Sequence, residues 1–161
     1  MSKHTIIKVD TLKVNFTPYA LAKMSNGLFT ATELYKEEDV LTLKYFLYCT
    51  SIELGFKASI LSVGNSKKVK DELKYTVRHD LIKVNNLFIQ RMNIDILDTN
   101  DLLSLKKINP FFKTKGLEYV TTDVIVELAN GTPNLPGLRD IRSIAEKINK
   151  YLLKNKLYIN S

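Results

Sequence analysis

Two histidines and one cysteine are all the chain possesses of the residues that most often bind metals or attack substrates, and this scarcity removes whole classes of chemistry. His4 and His79 stand far apart, so no His-x-x-x-His pair or Cys/His cluster exists to build a zinc site, and no metal is expected. Cys49 has no disulfide partner and lies inside an apolar run, where a lone thiol serves as a small core hydrophobe rather than a nucleophile. Phosphate-wrapping glycine loops are missing too. Val63, Gly64, Asn65, Ser66 and Lys67 contain a single glycine, so the P-loop and dinucleotide-binding readings fail and no cofactor is expected. No stretch approaches roughly 18 uninterrupted apolar residues, and no charged-then-apolar leader opens the chain. The expectation is a cytoplasmic protein without a membrane partner. On that expectation the glycosylation triplets at Asn15 and Asn130 are coincidences. Neither an internal repeat nor a low-complexity tract is visible.

What is present describes one ordinary domain. The 161 residues are 45% hydrophobic and 25% charged, too apolar for a disordered chain and long enough to bury a core without a disulfide or metal staple. Lysine and arginine number 24 against 17 acidic residues, and the formal charge of +7 favours anionic partners such as RNA, DNA or nucleotides.

Along the chain, alternation at Leu12, Val14 and Phe16 reads as an extended N-terminal arm over residues 1–17. Thr17 and Pro18 then open a first helix with Ala20, Leu21 and Met24 on its apolar side and Gly27 as a break or bend. A long central helix is expected from about Glu37 to Leu61, with Glu37, Glu38 and Asp39 in its first turn and apolar residues from Val40, Leu41 and Leu43 onward on nearly every side. Gly64 ends it, and Lys67, Lys68 and Lys70 follow as a solvated basic patch. A helix from Asp80 to Met92 comes next, then one capped by Thr99 or Asn100 that stops at Asn109 and Pro110. Phe111 to Gly116 reads as a junction, and Tyr119 to Leu128 as either a short helix or an extended piece. After a loop from Asn130 to Gly137, Leu138, Ile141, Ile144, Ala145, Ile148, Tyr151 and Leu152 make the clearest amphipathic helix. The expected fold is an all-α bundle of about five helices, with residues 155–161 as a C-terminal tail.

Two segments stand out together: Ser51, Glu53, Leu54 and Lys57 within the central helix, and Arg78, His79, Asp80 and Leu81 at the start of a later one. Their order and separation resemble the HEPN superfamily of small α-helical bundles, where an S-x-E-L-x-x-K-x-x-L helix precedes a G-H-D-L-x-x-L helix start. Lys113, Thr114, Lys115 and Gly116, the proline-containing loop and the final helix also look like the latter half of such domains, so the resemblance spans about residues 18–154. It implies an HEPN-like domain, a homodimer that would also cover the apolar positions of the arm, and a role in toxin–antitoxin or phage-defence settings. Ribonucleases of that superfamily carry an arginine followed a few residues later by a histidine on a late helix. Here no histidine follows Arg91, Arg139 or Arg142, and Arg78 and His79 are adjacent. The implied function is therefore a non-catalytic module that binds RNA, a nucleotide or a protein partner.

Glu53 and Lys57, at i and i+4 in the favourable order, are expected to form an internal ion pair. Asp80 is expected to cap the helix that begins at Leu81. Arg78 replaces the glycine of the resembling motif, and with Lys67, Lys68, Lys70, Lys74 and His79 it is read as an electropositive face for phosphates, with no interleaved aromatics to stack bases. No catalytic residue is expected. Were the protein an enzyme, it would be a metal-independent ribonuclease with His79 as general acid or base and Arg78 stabilising the developing charge. A third reading is a structural subunit with no nucleic-acid role.

Overall fold

Thr17 opens the first helix by accepting the backbone N–H of Ala20 on its hydroxyl at 3.1 Å, with Pro18 at the first helical position. The computed structural model describes residues 17–35, 41–115, 117 and 135–158, so the N-terminal arm, the acidic cluster at 37–39 and most of the segment from 116 to 134 lie outside the described residues. Helix α1 runs over Pro18–Leu34 without a break. Gly27 does not break it, and a Cβ at that position would meet only open space. Its buried residues are Leu21, Ala22, Ser25 and Thr32, and Met24, expected on the apolar side, is half exposed.

Helix α2, Leu41–Val63, is the spine of the bundle. By length and composition it is apolar enough to cross a membrane, but 67% of that stretch is buried among the other helices. Its apolar character does not begin at the first turn as expected: Leu41 and Leu43 are exposed, and unbroken burial starts further along, where α1 and the last helix close over it. Gly55 lies at that crossing. A Cβ there would run into Ile148 Cγ2, so the glycine is needed for close approach. Beside it, Ser25 Oγ donates to the Ser51 carbonyl at 2.7 Å, Ser51 Oγ donates back to the Ser25 carbonyl at 2.8 Å, and Asn149 Nδ2 donates to Ser51 Oγ at 3.1 Å. Gly55→Ala is expected to lower stability by about 1–3 kcal/mol through overpacking, measured as a shift in the denaturant midpoint at unchanged m.

The residues expected to form a solvated lysine patch are themselves helical. Ser66 caps α3, Lys67–Asp71, which runs directly into a π-helical turn, Glu72–Val77. Helix α4 is Leu81–Met92 with Asp80 as its cap. Helix α5, Thr99–Lys113, differs from expectation at both ends. Its cap is Asp98, one residue before Thr99, because Asp98 accepts the Asn100 and Asp101 N–H groups while Asp101 returns the bond to the Asp98 N–H, a reciprocal pair that neither Thr99 nor Asn100 offers.

Nor does Pro110 stop α5, and Phe111–Lys113 are helical rather than a junction. An internal proline costs about 3 kcal/mol. Burial of the Phe112 ring offsets it, with ring centroids 6.3 Å from Phe46 and 6.2 Å from His79. The last helix, α6, spans Leu138–Lys154. Part of the expected tail belongs to the core: Leu157 and Tyr158 pack against it, and the Leu157 N–H returns to the Leu152 carbonyl at 3.0 Å. Among the described residues the fold is an all-α helical bundle with no strand.

Candidate functional site

Glu53 and Lys57 face inward from α2 as a buried ion pair. Both reach further. Lys57 Nζ donates to the Arg78 carbonyl at 2.8 Å, and Glu53 Oε2 lies 3.1 Å from His79 Nδ1. The pair thus holds the Arg78–His79 turn that leads into α4. The hydrogen bond to Glu53 raises the His79 pKa above its ordinary value, although burial and the nearby Lys57 and Lys115 oppose it. A raised folded-state pKa means that this contribution to stability is complete below the unfolded value of about 6.5 and is lost as pH rises through the higher folded value. Stability of the wild type is therefore expected to decline across that window above pH 6.5, and the decline should vanish in His79→Gln, as followed by thermal melts at several pH values.

Arg78 adopts φ 52° and ψ −122°, a conformation that glycine occupies freely and an L side chain resists. The arginine is therefore a strained residue, whose carbonyl is held by Lys57. Asp80, next in the turn, accepts the Ile82 and Lys83 N–H groups, the Asn109 amide at 3.1 Å and the Lys113 ammonium at 3.2 Å. Burial alone would raise its carboxyl, but the Lys83 N–H, Lys113 and Asn109 together hold it below the ordinary value. Asn109 Oδ1 in turn accepts the Leu81 N–H at 2.7 Å. The C-terminal end of α5 is thereby locked onto the start of α4.

Between them opens a cleft of about 530 Å³, bordered by Tyr75, Arg78, His79, Lys83, Lys113 and Lys115. His79 also borders a hollow of about 270 Å³ with Phe46, Leu54, Phe112, Glu53 and Lys115, and a third of about 370 Å³ with Lys57, Lys74 and Arg78. Four non-glycine residues among those described have positive φ, and two of them, Arg78 and Lys115, are cations on the main cleft.

The structure brings Lys74, Arg78 and His79 together and leaves Lys67, Lys68 and Lys70 exposed on α3, bordering none of these three hollows. Their place is taken by Lys83 on α4 and by Lys113 and Lys115 at and just beyond the end of α5, which the Asp80 contacts to Asn109 and Lys113 fasten to the start of α4. The expectation that no aromatic accompanies the cations also fails. Tyr75 is 60% exposed in the cleft, with Lys74 Nζ 4.9 Å from its ring centroid, and its adjacency to Lys74 in the sequence was the available signal. Cys49 is fully buried, which pushes its thiol up, and no group of three or more His, Cys, Asp or Glu among the described residues is arranged to hold a metal.

The fold and site define an all-α helical bundle with a cationic cleft where α4 and α5 meet. No family model, curated protein or solved structure matches the chain.

Proposed function

We propose that the chain is a non-catalytic, HEPN-like RNA-binding module whose cleft holds backbone phosphates. The observation that carries this reading is the charge balance of the main cleft: Arg78, Lys83, Lys113 and Lys115 surround it against the single carboxylate of Asp80, which is already engaged by Lys113. His79 adds positive charge as pH falls. Four cations bordering one hollow concentrate positive potential more than lysines spread over a solvated surface. The strain at Arg78 supports the same view, because a conformation costing roughly 1–3 kcal/mol persists when the side chain it displays is useful.

Salt-dependent binding of fluorescent RNA tests it. Affinity is expected to fall with salt at a slope of about −0.7 per phosphate engaged on a single strand. Arg78→Gly is expected to move two quantities in opposite directions, raising stability by about 1 kcal/mol as strain is released and flattening the salt slope by nearly one contact. Equal loss of affinity from neutralising Lys67, Lys68 and Lys70 would overturn the cleft as the site. Cleavage of RNA in EDTA, abolished by His79→Ala at an unchanged melting temperature, would overturn the non-catalytic assignment.

A further inference from the structure

Resting on that reading, we infer that the cleft takes an unpaired stretch of RNA, with one base stacked on the ring of Tyr75. The argument begins in the π-helical turn. Leu73 and Val77 are both buried, which anchors the turn at its two ends and displays Lys74, Tyr75 and Thr76 outward. Lys83 Nζ reaches the Thr76 carbonyl at 3.4 Å, so the turn that carries Tyr75 is tethered to α4. Tyr75 thus offers a largely exposed ring, with Lys74 Nζ 4.9 Å from its centroid, on the border of the cleft that Arg78, Lys83, Lys113 and Lys115 also line.

Cations alone accept any polyanion, single-stranded or duplex. An aromatic face discriminates, because the base faces of a duplex are covered by their neighbours and only an unpaired base can lie on a ring. The cleft volume of about 530 Å³ falls within the roughly 300–1,000 Å³ of small-ligand sites.

The test compares a short oligouridine, an RNA hairpin of equal phosphate number and an oligothymidine at one salt concentration, using the full chain. The wild type is expected to prefer oligouridine to the hairpin. Tyr75→Ala should cost roughly 5- to 100-fold in affinity for oligouridine and erase that preference, whereas Tyr75→Phe should retain it. Tyr75 is exposed, so these variants are expected to fold, and their melting temperatures check it. Equal or tighter binding of the hairpin, or a preference unaltered in Tyr75→Ala, would overturn this inference while leaving the phosphate-binding cleft standing. Equal affinity for oligothymidine would overturn the assignment to RNA, and no binding of any strand at low salt would overturn both readings.

Discussion

Glu53→Ala is expected to destabilise the protein by about 3–5 kcal/mol, because it strands a buried ammonium. Lys57 has 9% of its side chain exposed, and without the carboxylate it keeps only the Arg78 carbonyl. The same substitution removes the group that raises His79, so the histidine should titrate nearer its ordinary value. Denaturant unfolding measures the first effect and a proton NMR titration of His79 the second. Replacing Glu53 and Lys57 together by leucine should recover most of the loss, since apolar side chains of similar volume leave no buried charge unpaired. Recovery of stability without recovery of RNA binding would show that the pair's role is to hold the Arg78–His79 turn. A single substitution costing under about 1 kcal/mol would show that water reaches Lys57.

Asp80→Ala is expected to cost about 2–4 kcal/mol. A lost helix cap accounts for roughly 0.5–2, and a half-buried Asn109 amide left without its acceptor for about 1–3 more. Asp80→Asn should cost much less, because it keeps an oxygen for the Ile82 and Lys83 N–H groups and loses mainly the Lys113 ion pair. The Asp80 pKa is depressed, so its contribution is complete above the unfolded value of about 3.9 and is lost as pH falls through the lower folded value. Comparing acid unfolding of wild type and Asp80→Asn checks that sign. Because Asp80 also draws Lys113 to the cleft, its alanine variant should bind RNA more weakly even where it remains folded.

Much of the helical plan was legible where a local signal exists: Thr17 and Pro18 at the start of α1, Asp80 at α4, and the amphipathic stripe of α6. The misreadings arose where a distant contact overrode a local rule. Pro110 reads as a stop in sequence, and the helix continues because Phe112 finds Phe46 and His79. Leu41 and Leu43 read as core from their apolar character and are exposed in the bundle.

The site divides in the same way. Glu53 with Lys57, and Asp80 with Leu81, are near neighbours whose relation follows from helix periodicity and capping, so the sequence by itself determined an all-α chain with an internal ion pair on its spine and a capped entrance to α4. Only the tertiary structure decided which cations share a cleft. Lys113 and Lys115 are more than a helix away from Arg78 along the chain, and the Asp80 lock to Asn109 and Lys113 is what brings them together. The positive φ of Arg78 likewise came only with the structure, since arginine by itself does not call for a left-handed backbone and the carbonyl that Lys57 grips lies 21 residues further along the chain.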